Sequence, residues 1–365
     1  MVSLAIVATL FWPAPVVART FLDYTAVPPI HVMSGTSPQP AGLTPDQVKQ
    51  AYGLPATGGS GTIALIEAYG DPSLGADMAG FDKAFSLPAC TAANGCLQTH
   101  SMTTTKSPSP GWAMETALDA EWAHAIAPKS RILVVIAGST GTTGLMKALD
   151  YARKRSDAVA ISMSWGGAEF EGEDKLDPHF LSGNSKRPMS FFASSGDDGA
   201  GPSWPATAAG VIAVGGTSLR LGPTGSTASE GAWSGSGGGV SAYESEPLYQ
   251  RTYSIPRAGG KRAIPDVSYA ADPAYGFSVF HGGTWSIVGG TSAGAPQWAA
   301  IAALTASARY ALSPAELYID KASTRTAAYF RDIVSGTNGA CAYYCTARAR
   351  YDYVTGLGSP VTYRF

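Results

Sequence analysis

The chain has 365 residues, of which 45% are hydrophobic and only 14% are charged, against roughly 25% charged residues in a typical globular domain. This hydrophobic content is enough for a sizeable core and excludes disorder for the bulk of the chain. The net charge is -2 and neither sign forms long runs, so we do not expect nucleic acid as a partner.

Residues 1–18 are apolar and end in Val16-Val17-Ala18, a small-residue pattern that suits signal-peptidase cleavage before Arg19. The stretch is short for a membrane span and contains two prolines, which disfavours a transmembrane helix. We therefore predict a signal peptide, no membrane anchor, and an extracellular or periplasmic location. No Lys or Arg precedes the apolar stretch, so a displaced start within a longer precursor is the alternative.

Strand-like and helix-like segments alternate along the chain after a short capped helix predicted around Thr44–Gly53. This alternation predicts an α/β fold, with a parallel sheet covered by helices on both faces. We expect one large domain over 43–365, preceded by a short N-terminal segment over 19–42. The predicted strands are Thr62–Ile66, Ile132–Ile136, Ala158–Ser162, Ser190–Ala193, Gly210–Val214 and Phe277–Phe280, and the predicted longer helices are 113–126, 144–155 and 294–308.

The four cysteines form two local pairs, Cys90 with Cys96 and Cys341 with Cys345. An even number of closely spaced cysteines is typical of disulfides in an oxidising compartment. The five histidines do not cluster around either pair, which argues against zinc there. We predict two small-loop disulfides.

The glycine-rich stretch Gly235–Gly239 has the glycine content of a dinucleotide-binding loop. No hydrophobic strand leads into it and no helical pattern follows directly, so it does not fit that motif. We expect a flexible surface loop.

Ser292 lies in Gly289–Pro296, between an apolar segment and a predicted helix. Backbone N–H groups and the dipole at a helix N-terminus favour a developing oxyanion, so this serine is a candidate nucleophile. Gly290 to Gly294 also match the G-x-S-x-G motif of α/β-hydrolases, whose histidine follows the serine. Here the last histidine, His281, precedes Ser292, which excludes that fold.

Glu115 and Asp119 are the sharpest candidates for a base. They are four residues apart in a predicted helix, so their side chains lie on one face. Two close carboxylates share a proton, and this raises one apparent pKa enough for acid–base work. His124, nine residues after Glu115, faces away from the pair.

With these residues in place, the sequence resembles the sedolisin family of serine-carboxyl peptidases, relatives of the subtilisins in fold. The resemblance runs from about Leu43 to Pro360. Beyond the segments that hold Ser292 and Glu115, it rests on 162–167, 193–200, 211–218, 237–241, 265–268 and 355–360.

The resemblance implies that Ser292 is the nucleophile, that Glu115 is its general base and that Asp119 orients Glu115. It makes Asp197 the oxyanion donor. A carboxyl group donates only when protonated, so we expect activity at acidic pH. The resemblance further implies an endopeptidase that cleaves unfolded proteins and peptides, and we expect it to be a monomer. In some relatives Glu67 extends the carboxyl network towards the tryptophan that is Trp165 here.

The family's calcium site is the second functional feature that the resemblance implies. In this sequence its carboxylates would be Asp332 and Asp352, and its carbonyl ligands would come from Ile333, Arg348 and Arg350. Oxygen ligands of this mixture suit one structural Ca²⁺.

Two alternatives stay open at this stage. A non-catalytic relative could use the same cleft only to bind peptides. A subtilisin-like Ser-His-Asp triad could instead use Asp71, either His100 or His124, and Ser292, which occur in the right chain order.

Overall fold

A computed structural model of the chain describes residues 20–33, 35–104, 109–183, 188–306 and 310–365. The predicted signal peptide lies outside these residues. Within the described ranges, no helix combines the length and the hydrophobicity that a membrane crossing requires.

The described residues contain α-helices and β-strands in alternation through the first half of the chain. The helices are α1 Pro45–Ala51, α2 Leu74–Phe85, α3 Pro110–Ile126, α4 Thr142–Arg153, α5 Leu248–Tyr253, α6 Gly294–Thr305, α7 Pro314–Glu316 and α8 Ser323–Tyr329. The strands are β1 His31–Val32, β2 Thr62–Ala68, β3 Leu97–Ser101, β4 Arg131–Ala137, β5 Ala158–Met163, β6 Gly167–Ala168, β7 Ser190–Ser194, β8 Ser203–Trp204, β9 Ile212–Leu221, β10 Thr227–Ala232, β11 Gly239–Ser245, β12 Lys261–Ile264, β13 Val267–Ala270, β14 Phe277–His281, β15 Thr284–Gly289, β16 Phe330–Arg331 and β17 Ser359–Pro360.

The central sheet has the strand order β10-β9-β7-β5-β2-β4-β3, with β13 also paired to β9. All of its pairings are parallel except β10 with β9. Every residue of β2 is buried, as expected for a central strand that helices cover on both faces.

Alternate residues of β2 supply two different cores, because successive side chains of a strand point to opposite faces. Ile63 and Leu65 pack in the cluster that includes residues of α3 and α6. Ala64 and Ile66 pack in the cluster that includes residues of α4. The predicted α/β fold with helices on both faces is therefore confirmed.

The predicted elements match the observed ones to within a few residues. The helix predicted over 113–126 begins three residues earlier, at Pro110, and the strand predicted from Gly210 begins at Ile212. The short helix before Gly53 is present, and Gly53 has the left-handed φ of +63° that a helix stop favours. Both predicted disulfides are formed, with Cα–Cα distances of 4.9 Å for Cys90–Cys96 and 5.2 Å for Cys341–Cys345.

The described part of the N-terminal segment, residues 20–33 and 35–42, packs along the domain. Its β1 pairs antiparallel with β15, so that His31 lies opposite Gly289 and Val32 opposite Val288. Before β1, the backbone of Val27 forms an antiparallel bridge with Gly166. The segment therefore passes from the end of β5 in the central sheet to β15 of the small antiparallel sheet. The carboxyl ends of parallel strands such as β5 are where ligands bind in parallel sheets.

Candidate active site

Ser292 lies in a single 3-10 turn, Thr291–Ala293, between β15 and α6. Gly290 allows this turn with a φ of +121°. A Cβ atom at Gly290 would lie 2.2 Å from the Pro29 carbonyl oxygen and 2.6 Å from Asp197 Oδ2, so only glycine fits. The turn thus brings the serine, Asp197 and the N-terminal segment to one place.

Glu115 and Asp119 lie on the buried face of α3, as the spacing predicts. Glu115, Asp119, Glu67 and Ser292 all have no exposed surface. Asp119 is the centre of the group, because it shares side-chain hydrogen bonds with Glu67, Glu115 and Ser164. The distance from Ser164 Oγ to Asp119 Oδ1 is 2.9 Å.

Each carboxyl–carboxyl hydrogen bond in this group requires a proton on one partner. Burial, followed by Asp119 and Glu67, raises the pKa of Glu115 well above its usual range. Burial, followed by Asp119, does the same to the pKa of Glu67. Burial raises the pKa of Asp119 only to about 7, because hydrogen bonds from Ser164, Glu67 and Glu115 oppose the rise. Protonated Glu67 and Glu115 thus donate to Asp119, the most acidic of the three.

The hydroxyl of Ser292 lies next to this group of carboxyls and interacts with Glu115. A side-chain interaction with Ser292 lowers the pKa of Glu115 against the larger effect of burial. The Ser292 Oγ atom is buried and has no hydrogen-bond partner within 3.5 Å among the described residues. Catalytic hydrogen bonds are often long in a site that holds no reacting substrate, so this spacing is compatible with proton transfer to Glu115.

Asp197 follows β7 and points into the same cleft, whereas its neighbour Asp198 is exposed. Its Oδ1 atom accepts hydrogen bonds from the backbone N–H and the hydroxyl of Thr291, both at 2.8 Å. Burial raises the pKa of Asp197, while His31 and Thr291 oppose this effect. The Asp197 carboxyl is therefore held by Thr291, the residue before Ser292.

The glycine-rich stretch 235–239 supports the Asp197 loop, so the prediction of a flexible surface loop is wrong. Ser236, Gly237 and Gly238 are buried. The Gly237 N–H donates to the Gly196 carbonyl at 2.7 Å, and a Cβ atom at Gly237 would lie 2.1 Å from the Ser195 carbonyl oxygen. The missing side chain lets two backbones pack closely, which a composition pattern cannot indicate.

The N-terminal segment occupies the cleft like a bound peptide, a feature that the sequence reasoning missed. Residues 27–31 line a cavity of about 380 Å³ together with Gly166, Asp197 and Asp198. The Val27 and Gly166 backbones exchange hydrogen bonds of 3.0 and 3.1 Å, and the Ser292 N–H donates to the Pro29 carbonyl at 3.4 Å. The Pro29 peptide carbonyl therefore lies at the backbone of Ser292, and both Pro29 and Asp197 lie next to Gly290.

His31 completes this arrangement, because its Nε2 atom lies 3.2 Å from Asp197 Oδ2. A hydrogen bond with Asp197 raises the pKa of His31, although partial burial opposes the rise. No periodic pattern links residue 31 to residue 197, so only the folded chain reveals the pair.

The histidines of the alternative triad lie elsewhere. His100 stacks on Tyr151 with ring centroids 3.8 Å apart. The Nε2 atom of His124 lies 2.8 Å from the Pro88 carbonyl, and Asp71 contacts His281. None of these side chains is recorded in contact with Ser292 among the described residues, which speaks against a Ser-His-Asp triad.

Glu67 and Trp165 are both buried but do not share a hydrogen bond between their side chains in the described contacts. Trp165 Nε1 donates instead to the Ile66 carbonyl at 2.9 Å. Glu67 turns to Asp119. The carboxyl network therefore extends from Asp119 to Glu67, and Trp165 supports the backbone of β2.

The two aspartates predicted to bind calcium face one loop. Asp332 Oδ2 accepts from the Arg350 N–H at 2.8 Å, and Asp352 Oδ2 accepts from the Arg348 N–H at 3.1 Å. Burial raises the pKa of both carboxyls, that of Asp352 to about 6, and only backbone and hydroxyl donors oppose the rise. Ile333 is buried beside Asp332. Two carboxylates without a side-chain cation among these partners fit a hard divalent ion.

The arginines that flank this loop do not neutralise the aspartates in the described contacts. Arg348 stacks on the Tyr343 ring at 3.8 Å and donates to the Tyr343 carbonyl. Arg350 has a left-handed φ of +69°, a conformation that favours glycine. Its side chain interacts with Tyr253. The Cys341–Cys345 disulfide lies close by in sequence, and the Cys345 carbonyl accepts from the Asn338 N–H.

Comparison with known proteins places the chain in a family. Residues 98–348 match the model of the subtilase family. The chain is 30% identical to sedolisin of Pseudomonas sp. (strain 101) over 252 residues and 30% identical to kumamolisin of Bacillus sp. (strain MN-32) over 368 residues. These matches cover 60% and 90% of the chain, which spans 42% of the length of sedolisin and 64% of that of kumamolisin.

The fold agrees with this result. The structure of Pseudomonas sedolisin, a serine-carboxyl proteinase in complex with two molecules of pseudo-iodotyrostatin, superposes with a TM-score of 0.74 at 24% identity. The superposition covers 88% of this chain and 96% of that one. The chain belongs to the subtilase family, and its similarity to sedolisin and kumamolisin supports the sedolisin family that the sequence motifs indicate.

Proposed function

We propose that the protein is an endopeptidase that hydrolyses peptide bonds at acidic pH through Ser292, Glu115 and Asp119. The observation that carries this proposal is the position of Pro29. Its carbonyl lies in the cleft where a substrate carbonyl would be attacked, beside the Ser292 N–H and Asp197. The antiparallel bridge of Val27 with Gly166 supports binding of extended peptide substrates in the same way.

In the proposed mechanism, Ser292 Oγ attacks the carbonyl carbon while its proton passes to Glu115. In the reactive form the Glu115–Asp119 pair carries one negative charge, which lies on Asp119. Glu115 therefore accepts the serine proton on one oxygen and passes its own proton to Asp119 from the other. The tetrahedral oxyanion accepts hydrogen bonds from the Ser292 N–H and from protonated Asp197. Collapse expels the amine, which takes a proton from Glu115 while Asp119 returns its proton to Glu115. Water then attacks the acyl-enzyme ester and loses a proton to the Glu115–Asp119 pair, and Ser292 recovers that proton from Glu115 as the acid product leaves.

The proposed activity at acidic pH depends on the protonation of Asp197. A carboxylate at this position would repel the oxyanion, so the reaction requires the protonated form. Burial raises the pKa of Asp197, which extends the range in which that form is present. The reaction needs protonated Asp197 together with ionised Asp119. We therefore expect a bell-shaped pH profile of kcat/KM with its maximum at acidic pH and a fall towards neutral pH as Asp197 ionises.

Calcium and location complete the proposal. Asp332, Asp352 and the carbonyls of Ile333, Arg348 and Arg350 would hold one Ca²⁺, which would neutralise the two carboxylates and fix the loop. With the predicted signal peptide and two disulfides, we propose a secreted monomeric enzyme that acts on unfolded proteins and peptides.

The test compares wild type with Ser292→Ala on an unfolded protein substrate and with a fluorophosphonate label at pH 4. We expect both hydrolysis and labelling to be lost. Ser268→Ala is the matched control, because Ser268 is also buried with an unpartnered hydroxyl. It should leave both unchanged. Labelling that survives in Ser292→Ala would contradict the proposed nucleophile, and the absence of wild-type turnover and labelling at every pH would favour the peptide-binding alternative.

Asp197→Ala tests the oxyanion donor separately. Loss of one such donor costs about 10²–10³-fold in kcat, so we expect a fall of this size with labelling slowed in proportion. An unchanged kcat would exclude Asp197 from the role.

A further inference from the structure

Asp71, Asp77 and His281 form a second cluster of chemically active side chains, outside the active site. Asp71 lies in the turn after β2, Asp77 in the first turn of α2, and His281 at the end of β14. One nitrogen or oxygen atom from each of the three side chains lies within 4.8 Å of the other two. The β2–α2 turn and the first turn of α2, which are close in sequence, therefore converge with the distant strand β14 on one point.

The spacing of these atoms suits a single small cation. His281 Nδ1 lies 3.1 Å from Asp77 Oδ2 and 3.6 Å from Asp71 Oδ2. In a tetrahedral site with metal–ligand bonds of about 2.0–2.1 Å, neighbouring ligand atoms are about 3.3 Å apart. A metal ion could bind between these atoms with small shifts of the side chains.

Asp71 supplies a buried ligand atom. The Asp71 side chain is only 1% exposed, and its Oδ2 atom has no hydrogen-bond partner within 3.5 Å among the described residues; His281 Nδ1 lies near it at 3.6 Å. Its Oδ1 atom is already used, since it accepts from the Ser73 N–H at 2.8 Å and the Ser73 hydroxyl at 2.7 Å. The fixed Oδ1 orients the unpartnered Oδ2 towards His281. A buried oxygen without a donor is costly unless something binds it.

Asp77 is held in place in a similar way. Its Oδ1 atom accepts from the Gly282 N–H at 3.0 Å, and its Oδ2 atom lies 2.6 Å from the Ser73 hydroxyl, which shares its single proton between Asp77 and Asp71. The carboxylate therefore joins α2 to the β14–β15 turn, and its Oδ2 faces the same point as His281.

The charges around the cluster are negative in excess. Glu121 of α3 is fully buried and close enough for Asp77, Asp82 and Asp71 to raise its pKa after the larger effect of burial. Its Oε2 accepts from the Phe280 N–H. No Lys or Arg is among the groups that shift the pKa of Asp71, Glu121 or His281. Even when His281 is protonated, its single positive charge does not balance the negative charges of Asp71 and Asp77.

We propose that Asp71, Asp77 and His281 bind a divalent transition-metal ion such as Zn²⁺, with water as the fourth ligand. Imidazole with carboxylates is a donor set that suits Zn²⁺ better than Ca²⁺. His281 is 22% exposed, which leaves an entry path and room for water. The ion would tie α2 to the β14–β15 hairpin, whose second strand leads to Ser292.

The proposal is tested by titrating Zn²⁺ into the full chain in a calorimeter at pH 7.5, with excess Ca²⁺ present to fill calcium sites. We expect one saturable site in wild type. His281→Gln and Asp71→Asn should each weaken Zn²⁺ binding at least tenfold. Co²⁺ should give a visible absorption band that is lost in the same variants. Because the proton and the metal compete for His281 Nδ1, affinity should fall as the pH is lowered.

His179→Gln is the matched control. His179 Nδ1 lies 2.9 Å from Asp150 Oδ1, so it is also a histidine–aspartate pair but has no second carboxylate recorded beside it. This variant should bind Zn²⁺ like wild type. Circular dichroism and metal-free melting temperatures establish that each variant is folded. Absence of saturable Zn²⁺ binding, or equal binding by wild type and folded His281→Gln, would overturn the proposal. Peptidase activity is not the readout, so failure here is independent of the proposed function.

Discussion

Two buried sites in this protein treat negative charge in opposite ways. In the cleft, Glu67, Glu115 and Asp119 lie together and none of the groups that shift their pKa values is a cation. Between β12 and β13, Asp266 forms two hydrogen bonds of 2.7 and 2.6 Å with the fully buried Arg262 of β12. The first site neutralises its carboxyls with protons and the second with a guanidinium.

The difference suits the first site to the proton transfer that we propose and the second to stability. A proton held between two carboxyls moves with little rearrangement, whereas an arginine keeps its charge at any accessible pH. Asp266 also accepts from the Ala213 N–H and the Tyr318 hydroxyl, so every oxygen is used. Among the described contacts, Ser164 is the one hydroxyl within 3.5 Å that donates to the cleft carboxyls. Their remaining oxygens face one another.

The largest effect is expected from Glu115→Gln. The amide can still accept from Ser292 and donate to Asp119, but it cannot pass a proton between them. We expect kcat/KM to fall by about 10²–10⁴-fold, with the variant folded as well as wild type. Stopped assays at pH 4, together with melting curves, measure both. A variant with near wild-type kcat/KM would mean that the serine's proton goes elsewhere.

The opposite result is expected from Arg262→Met. Removing one partner leaves Asp266 charged and buried, which costs about 3–5 kcal/mol in the free energy of unfolding. The activity per folded molecule should not change, because Arg262 contacts no cleft residue in the described interactions. Denaturant titration measures the first quantity and active-site titration the second. The double variant Arg262→Met with Asp266→Leu should recover much of the lost stability; if it does not, the hydrogen bonds of Asp266 matter more than its charge.

Much of this comparison could be foreseen from the sequence. The spacing of Glu115 and Asp119 and the glycines that flank Ser292 are local patterns. Residues close in sequence keep their relative positions in a helix or a turn, so such patterns can be predicted from the sequence. The sequence signal for the role of Glu67 was weaker, because a single acidic residue at a strand end gives no periodic pattern. His31 and Gly237 were missed altogether, since their roles depend on contacts with Asp197 and Ser195 that no spacing in the sequence encodes.

The pH dependence of stability sharpens the comparison further. Burial gives Asp119 a pKa of about 7 in the folded state, against about 3.9 for an ordinary aspartate. Between these values the folded protein binds more protons than the unfolded chain, so the free energy of unfolding falls as the pH rises through this window. Melting temperatures at pH 4 to 8 should show this fall. It should be smaller in Glu115→Gln, which removes one carboxyl, and unchanged in Ser268→Ala; an equal slope in Glu115→Gln would place the effect in other carboxyls.

The smallest effect is expected from Glu67→Gln, and it decides what the third carboxyl does. If protonated Glu67 only donates to Asp119, the glutamine amide replaces it, and kcat/KM at the optimum should stay within about threefold of wild type. Glu67 raises the pKa of Glu115 after burial and Asp119, so its replacement should lower the pKa of the Glu115–Asp119 pair and move the acidic limb of the pH profile to lower pH. Glu67→Leu, which cannot donate, should lose more activity. A loss in Glu67→Gln as large as that in Glu115→Gln would mean that Glu67 itself passes a proton, and the relay would then involve three carboxyls rather than two.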